Sequence, residues 1–419
     1  MQLFDVDEEA ENLDDITNSI ELKDENVYIA DTQKAIHLIS QLLYGERINS
    51  RTKLIKISEY FKNVFQLIND CDIPNMFEQQ RELEMYLDRL IEFGSADILR
   101  GKHVVSLGGR FSAGKSKFIN AITGIENILP VDQNPTTSVP SYIVHFDIDR
   151  IEVNTKFGCS VNLDKEAMNA LTHEFYNKYK IGFSSILENI IIKSSKYNID
   201  DRIVLLDTPG YSKMDVDNNV RERTSDRQKA HDKLSITDYL IWLVDITKGT
   251  ITNEDLEFIR SLHLTNKILF VFTKADKKTS SEIKMVVDQA KETILNAGID
   301  CFGVTAFSSE KKEEYFDNSI KKYLEEVVNN PKSENDIIQQ IDNITTNIIE
   351  IINNEKQLIR RRKKEYFNML KDTNNVTAVQ SIAKLWKNES IRLEKISDII
   401  KNFRKLVERL HNIISEEYK

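Results

Sequence analysis

The sequence is poor in the residues that make tight turns. Only 6 prolines and 13 glycines occur among 419 residues. This scarcity argues against a turn-rich all-β protein and favours long helices, in which both residues are costly. Cysteine is also scarce, and the wide spacing of its three residues excludes a disulfide framework and a cysteine metal site. They are Cys71, Cys159 and Cys301.

Long hydrophobic runs are absent as well. No apolar run approaches the roughly 20 residues that a membrane-spanning helix needs, and the longest runs, such as residues 268–272, have the length of a strand. The first residues show no basic segment followed by an apolar core, so we expect no secretory signal. With so little cysteine, a reducing environment is expected. We therefore expect a cytoplasmic protein that contacts a membrane at most peripherally.

The net charge of −10 lies almost entirely at the N-terminus. Residues 1–31 contain eleven aspartates and glutamates against the single cation Lys23, and the remaining chain is close to neutral. Such a composition predicts a flexible, solubilising acidic tail over 1–31. The alternative is an acidic arm that docks on a basic partner or on a basic face of the chain itself.

Three further segments differ in their hydrophobic pattern. Residues 32–100 and 329–419 have apolar residues at spacings of three and four, which predicts helices. The second of these segments contains two seams of coiled-coil type. The predicted seams are Ile337, Ile341, Ile344, Ile348, Ile351 and Leu358, and Ile396, Ile399, Phe403, Leu406, Leu410 and Ile413. Residues 101–328 alternate strand-like and helical runs, which predicts an α/β domain with a mostly parallel sheet. Its predicted strands include 142–146, 151–153, 203–206, 239–244, 268–272 and 302–305.

The strongest motif follows the apolar run that ends at Leu107. Residues 109–116 read Gly-Arg-Phe-Ser-Ala-Gly-Lys-Ser, which fits the phosphate-binding P-loop pattern G-x-x-x-x-G-K-[ST]. Its backbone N–H groups and the N-terminus of the following helix form a cradle for phosphates. Lys115 is expected at the β- and γ-phosphates, and the Ser116 hydroxyl at Mg²⁺. The predicted phosphate-binding residues are Gly109, Arg110, Phe111, Ser112, Ala113, Gly114, Lys115, Ser116 and Lys117.

Later motifs favour GTP over ATP. Residues 203–210 form an apolar strand that ends in D-x-x-G, so Asp207 is expected to hold Mg²⁺ through water and Gly210 to contact the γ-phosphate. Residues 270–276 end in T-K-x-D, with Thr273, Lys274 and Asp276 at the base. The Asp276 carboxylate can accept two hydrogen bonds from guanine, which adenine cannot donate. Thr305 and Ala306 end a later strand, where the Ala306 N–H is expected at guanine O6.

A threonine between these motifs is expected to respond to the γ-phosphate. The segment Pro135-Thr136-Thr137-Ser138 lies between the P-loop and Asp207, and we favour Thr137 as a ligand of Mg²⁺ and a sensor of the γ-phosphate. The predicted metal ligands are therefore Ser116, Thr137 and, through water, Asp207. The predicted cofactors are GTP or GDP and Mg²⁺.

Together these motifs resemble those of the dynamin superfamily, in particular bacterial dynamin-like large GTPases. The resemblance covers residues 101–310 and implies a P-loop GTPase domain whose flanking helices form a helical bundle or short stalk. It also implies GTP hydrolysis completed by homodimerisation across the nucleotide face, with Ser112, Lys115, Thr137 and Gly210 as catalytic residues. A second dynamin-like subunit and an anionic membrane surface are further expected partners. Tyr211 follows the D-x-x-G motif where small G proteins have the Gln that orients water, a Gln that dynamin relatives also lack. Phe111 stands where eukaryotic dynamins carry Gln, so slow or differently organised hydrolysis is expected.

Two other functions fit parts of the sequence. One is a GTP-switched scaffold with negligible turnover that binds a protein through its helical arms. The other is a GTPase acting on RNA or ribosomes, which lacks support because no basic surface with interleaved aromatic residues stands out, so no nucleic acid partner is expected. The basic run Arg360 to Lys364 is interpreted as a solvated helix face, with anionic lipid and nucleic acid as alternatives.

Overall fold

Short runs rich in isoleucine, valine, leucine and phenylalanine form the sheet at the centre of the molecule. The computed structural model describes residues 26–94, 97–99, 101–125, 139–171, 173–208, 210, 220–235, 237–316, 318–331 and 336–417. The strands are β1 (Glu46–Arg47), β2 (His103–Gly109), β3 (Ser141–His145), β4 (Arg150–Thr155), β5 (Cys159–Leu163), β6 (Leu187–Ser194), β7 (Ile203–Asp207), β8 (Tyr239–Asp245), β9 (Ile268–Thr273), β10 (Cys301–Ser308) and β11 (Glu313–Tyr315).

Helices cover the sheet and extend beyond it. They are α1 (Val27–Ala30), α2 (Thr32–Tyr44), α3 (Asn49–Asn69), α4 (Met76–Gly94), α5 (Lys115–Thr123), α6 (Lys165–Ala170), α7 (His173–Tyr179), α8 (Val220–Ser235), α9 (Asn253–Ser261), α10 (Ser280–Asn296), α11 (Ser319–Asn329), α12 (Asp336–Asp372) and α13 (Val376–Glu417). Single 3₁₀ turns occur at Asp97–Leu99, Phe183–Ser185, Ile246–Lys248 and Ala275–Lys277.

The described strands form one eleven-stranded sheet with the order β1-β5-β4-β6-β3-β7-β2-β8-β9-β10-β11. The central strands β7, β2, β8, β9 and β10 are parallel. Antiparallel pairing occurs between β3 and β7 and towards both edges. β2, β7 and β9 are buried along their whole length, as expected for parallel strands covered on both faces. The predicted α/β domain with a mostly parallel sheet is confirmed.

The predicted acidic tail ends earlier than expected. The Asn26 side chain caps α1 by accepting from the Tyr28 N–H, Ile29 is buried, and the Tyr28 hydroxyl donates to Asp164 at 2.9 Å. The prediction of a flexible tail is therefore wrong for residues 26–31, because apolar residues within the acidic segment pack on the sheet domain. Residues 1–25 lie outside the described residues.

The segment 32–100 divides between two cores. Leu38 and Leu42 of α2 pack in the core of the sheet domain with strand residues such as Ile143. α3 and α4 instead share a separate core with α12 and α13. In that core Phe61 and Phe65 meet Phe403 edge to face, with ring centroids 5.4 and 6.0 Å apart. Helices that precede the sheet domain in the chain and helices that follow it thus form one four-helix bundle. Around the bundle, neighbouring helices follow the order α3, α4, α12, α13.

The predicted seam in α12 is correct at its start and shifted by one residue later. Ile341, Ile344 and Ile348 are buried, but the next buried apolar residues are Ile352 and Ile359. Ile351 is partly buried, and Leu358 is 46% exposed. A strict seven-residue repeat drifts around a helix of 3.6 residues per turn, and here the buried face follows the helix. The predicted seam in α13 likewise ends at the buried Ile414 instead of Ile413.

α12 and α13 extend beyond the four-helix bundle as a projecting hairpin, defined here as residues 360–395. Arg392 donates to the carbonyl oxygens of Cys71 and Asp72 in the α3–α4 turn, which places that turn near the base of the hairpin. The structure describes all residues of the hairpin, and none of them is buried. Among the described residues, no helix has the length and apolar character needed to cross a membrane.

Candidate nucleotide site

Glycines shape the loop between β2 and α5. Gly109 has φ +142°, and a Cβ added there would lie 2.5 Å from the Leu243 carbonyl oxygen of the neighbouring strand β8. Gly114, at the N-cap of α5, has φ +81°. Both are conformations that L-residues rarely adopt. The loop therefore turns sharply between the strand and the helix, with Lys115 and Ser116 in the first turn of α5.

The loop brings together the residues predicted to meet phosphate and metal. Lys115 and Asp207 are buried, and the Ser116 hydroxyl donates to Asp207 Oδ2 at 2.8 Å. Burial lowers the pKa of the Lys115 ammonium and raises the pKa of the Asp207 carboxyl, and the charge of each group opposes the shift of the other. Both charges are thus held in a site that disfavours them unless further charge is bound.

The second carboxylate oxygen of Asp207 makes this a fitting magnesium site. Asp207 Oδ1 is buried and has no hydrogen-bond partner in the part of the chain that the structure describes. Buried polar atoms are almost always paired, and hydroxyl and carboxylate oxygens are ligands that Mg²⁺ accepts, commonly together with water. The donor set of Ser116 and Asp207 therefore fits the metal predicted from the sequence.

The D-x-x-G segment lies directly against the loop. The Thr208 hydroxyl donates to the Leu107 carbonyl oxygen at 2.7 Å, which ties this segment to β2. A Cβ added at Gly210 would lie 2.8 Å from the Phe111 Cα and 2.9 Å from Lys115 Nζ. Only a glycine fits this approach without moving the backbone of the loop. Gly210 is therefore placed where it can respond to a ligand bound at Lys115.

The side chains of three residues predicted to bind phosphate instead contact other parts of the protein or solvent. Arg110 donates to the N-terminus of α9, at Asp255 Oδ1 (2.9 Å), Thr252 Oγ1 (2.6 Å) and Glu254 Oε2 (2.9 Å). Lys117 pairs with Glu310 at 3.0 Å, and the Phe111 side chain is 36% exposed. The Arg110 side chain thus anchors the loop to α9, and the loop's share in phosphate binding comes from its backbone.

The T-K-x-D motif lies at the end of β9, beside the same loop. The Thr273 hydroxyl donates to the Ala113 carbonyl oxygen at 2.7 Å, so it joins the motif to the phosphate loop. Asp276 accepts from the Ser308 hydroxyl at 2.9 Å. Burial alone would raise the pKa of the Asp276 carboxyl, but Ser308, a backbone N–H and Lys277 outweigh it and hold the pKa below its ordinary value. Asp276 is therefore an ionised acceptor, as guanine recognition requires.

Comparison with known proteins agrees with this geometry. The sequence model of the dynamin family matches residues 105–294, which include the phosphate loop, Asp207 and Asp276. Over these residues the chain is similar to the dynamin family.

Solved structures similar to this chain include two of an oligomerised bacterial dynamin pair described as sensing and tethering membranes over long range. Both are 18% identical; the matches cover 81% and 82% of this chain and 53% and 54% of those chains, with TM-scores of 0.44 and 0.43. Era from Aquifex aeolicus bound to GDP and aluminium fluoride is 17% identical over 53% of this chain and 56% of its own, with a TM-score of 0.32. The chain thus spans about half the length of the dynamin-pair structures. No curated protein matches its sequence.

The sheet domain also contains site residues that the sequence analysis missed. Asp245 ends β8 and accepts from Lys274 Nζ at 2.6 Å, which positions the lysine predicted to cover the base. Ser308 ends β10 and holds Asp276. Lys248 donates from its Nζ to the Ser112 hydroxyl at 2.9 Å. Position at a strand end was the available signal for Asp245 and Ser308, whereas no motif marks Lys248.

Two predicted base contacts lie deeper in the sheet domain than expected. Thr305 is buried, and its hydroxyl donates to Glu314 Oε1 and to the Tyr315 carbonyl oxygen, both at 2.9 Å. Ala306 is buried between its strand partners Phe272 and Tyr315. β10 continues three residues further than the predicted strand 302–305. Ser308 therefore contacts Asp276, whereas Thr305 and Ala306 were expected at the base. Thr137 and Tyr211 lie outside the described residues.

Proposed function

We propose that this chain binds GTP with Mg²⁺ and hydrolyses it to GDP and phosphate. The observation that carries the proposal is the Ser116–Asp207 hydrogen bond, in which the buried Asp207 keeps one carboxylate oxygen without a partner among the described residues. Asp276, whose pKa is held below its ordinary value, lies at the same end of the parallel strands. One part of the site suits a metal with phosphate, and the other suits guanine. The match of residues 105–294 to the dynamin family supports the same assignment.

The reaction we propose is an in-line attack by water on the γ-phosphorus. The new bond joins the water oxygen to phosphorus, the bond to the bridging oxygen breaks, and GDP, phosphate and a proton leave. Mg²⁺, when bound, supplies positive charge to the phosphates. Lys115 and the backbone N–H groups of residues 109–116 would neutralise charge that develops on the phosphates. Gly210 and Thr137 would change position with the γ-phosphate.

We further propose that nucleotide state reaches the helical bundle through a polar contact named here the α4–α8 seam. It pairs Arg81 with Asp232 at 2.9 Å, Arg89 with Asp238 at 2.8 Å and Glu92 with Lys233. α8 is the first described helix after the D-x-x-G segment. A movement of that segment on a change of bound nucleotide would therefore move α8. The ion pairs would pass this movement to α4 and so to the bundle.

Self-association across the nucleotide face is the proposed route to full activity. The exposed Phe111 side chain lies at the phosphate loop, so a second copy can cover an apolar group and exclude water there. A second dynamin-like subunit could take the same position. Both proposals follow the resemblance described above.

The projecting hairpin supports a peripheral contact with anionic membranes. Residues 360–395 hold ten lysines and arginines against four acids. Phe367, Met369 and Leu385 are each about half exposed, at 49%, 51% and 47%. Lys363 lies over the Trp386 ring at 4.8 Å and Lys371 over the Phe367 ring at 4.5 Å. Cations combined with exposed apolar groups fit a surface of anionic lipid.

GTP turnover per protein molecule, measured over about a hundredfold range of protein concentration, tests the enzymatic proposal. We expect specific activity to rise with concentration and to disappear in Lys115→Ala, because that variant loses the buried phosphate-facing cation. Lys291→Ala, which changes an exposed lysine on α10, serves as control and should behave as the unmodified protein. Flat background turnover with measurable GTP binding would contradict hydrolysis and favour the nucleotide-switched scaffold.

Vesicle flotation tests the membrane contact. Changing Arg360, Arg361 and Lys364 to glutamine should weaken binding to vesicles of phosphatidylcholine and phosphatidylserine by about tenfold or more, because each cation near an anionic surface is worth about 1 kcal/mol. The matched control changes Lys401, Arg404 and Lys405, which are exposed on α13 outside the hairpin. Equal losses in both variants would show that the hairpin is not the contact.

A further inference from the structure

A second cation lies at the phosphate loop in addition to Lys115. Lys115 is buried against Gly210 and Asp207. Lys248, by contrast, is exposed to solvent, and its Nζ donates to the Ser112 hydroxyl at 2.9 Å. The two ammonium groups thus approach the loop from different environments, one from the protein interior and one from its open side.

The turn that carries Lys248 is firmly held. Asp245 Oδ1 accepts from the Thr247 N–H at 3.0 Å and from its hydroxyl at 2.6 Å. Ile246 is buried, and Gly249 closes the turn with φ +98°. Asp245 Oδ2 accepts from Lys274 in the base motif. The backbone at Lys248 is therefore fixed relative to both the base side and the phosphate side of the site.

Ser112 is placed so that its partner must lie beside bound phosphate. It has φ +63°, a left-handed conformation that is unusual outside glycine, and it is the fourth residue of the phosphate loop. Successive N–H groups of such a loop point into one anion-binding concavity. An ammonium group has three donors, so Lys248 can keep Ser112 and still donate to a phosphate oxygen.

We infer that Lys248 is the second cation of the phosphate site, which neutralises charge on the triphosphate as the γ-phosphoryl group is transferred. This inference rests on the proposed GTP hydrolysis and deepens it. A positive side chain that reaches the transferring phosphoryl group is worth about 10³–10⁵ in rate for an arginine. Lysine is a strongly hydrated point charge without the bidentate fork, and Lys248 is exposed, so a smaller effect is expected.

The test compares Lys248→Ala and Lys248→Met with Lys248→Arg, in Mg²⁺ buffer free of alkali metal ions. We expect kcat to fall about 30- to 100-fold in the first two variants while the Kd for GTP changes less than about threefold, because the charge acts mainly during transfer. Lys248→Arg should retain much of the rate. Added ammonium or methylammonium ions should restore part of the activity of Lys248→Ala, since they replace the missing group. Lys291→Ala, far from the site on α10, should show neither loss nor rescue.

Three results would overturn the inference. These are an unchanged kcat in Lys248→Ala, a loss confined to the Kd for GTP, or a loss of kcat that no ammonium ion restores and that also occurs in Lys248→Arg. Failure of the proposed function looks different. Unmodified protein that binds no GTP refutes the nucleotide site itself, and unmodified protein that binds GTP without turnover refutes hydrolysis and this role for Lys248 together.

Discussion

Asp276→Asn is expected to lower the affinity for GTP by about a hundredfold or more and to create affinity for xanthosine triphosphate. The Asp276 carboxylate is held ionised and oriented by Ser308, and it can accept from both N1–H and the amino group of guanine. Asparagine offers one acceptor and one donor, so its NH₂ group meets the guanine amino group donor to donor. A site built to hydrogen-bond one ligand strongly rejects a ligand that leaves its polar groups unpaired, so the variant should reject guanine.

Xanthine carries a carbonyl oxygen where guanine has that amino group. The asparagine side chain of the variant would donate to this oxygen and accept from N1–H, so complementarity returns. Titration of labelled GTP and xanthosine triphosphate into both proteins measures the exchange. Asp288→Asn, a change on the exposed face of α10, is the matched control and should alter neither affinity. If Asp276→Asn binds GTP as tightly as the unmodified protein, Asp276 does not read the base.

Ser308→Ala separates orientation from recognition at the same site. The hydroxyl of Ser308 occupies one lone pair of Asp276 Oδ1, and the carboxylate keeps further acceptor capacity. Its removal leaves the charge and the two acceptors in place but frees the carboxylate to rotate. The loss of GTP affinity should therefore be smaller than in Asp276→Asn, without any gain for the xanthine nucleotide.

Parts of this site were predictable because they depend on local sequence. The phosphate loop requires glycines at fixed positions between a strand and a helix, and the sequence shows both the glycines and the flanking pattern. Asp207 likewise follows an apolar run directly, and Asp276 ends the T-K-x-D motif that follows another. Ser308, Asp245 and Lys248 depend on how separate strands end relative to one another, and no local pattern encodes that distance. The sequence analysis expected Thr305 and Ala306 at the base because it ended the strand too early. The true length of β10 is set by its pairing with β11, which no local pattern indicated.

The same division applies to the fold. The runs at β2, β7, β8 and β9 are continuous and apolar, so they were recognisable as buried strands. β1, β5 and β11 are short or mixed in polarity and become strands by antiparallel pairing at the sheet edges. β6 was not among the predicted strands, and its position between β3 and β4 is set by tertiary pairing. The helices of the bundle were predictable from their apolar spacing. Their assembly into one bundle was expected only from the family resemblance, and the structure shows that α3 and α4 pack with α12 and α13.

The α4–α8 seam carries the second large expected effect, at Glu92. This side chain is buried, accepts from the Tyr142 hydroxyl at 2.7 Å and pairs with Lys233. Burial, together with the charge and hydrogen bond of Glu92, holds the pKa of Tyr142 well above its ordinary value, so the tyrosine remains a donor. Glu92→Gln preserves shape and leaves the lysine charge without its partner charge. Removing one member of a buried pair costs about 3–5 kcal/mol, and because Lys233 is partly exposed we expect about 2–3 kcal/mol.

Urea unfolding measures this loss, and Glu59→Gln, exposed on α3, should change stability by less than about 0.5 kcal/mol. A double-mutant cycle with Lys233→Met isolates the pair and should give a coupling energy of about 1–3 kcal/mol. If the seam also transmits nucleotide state, Glu92→Gln should keep the GTP affinity and lose part of the concentration-dependent rise in turnover. A variant that loses stability but keeps the full rise of turnover with protein concentration would show that Glu92 has only a structural role. α4 would then be attached to α8 without transmitting the nucleotide state of the phosphate site.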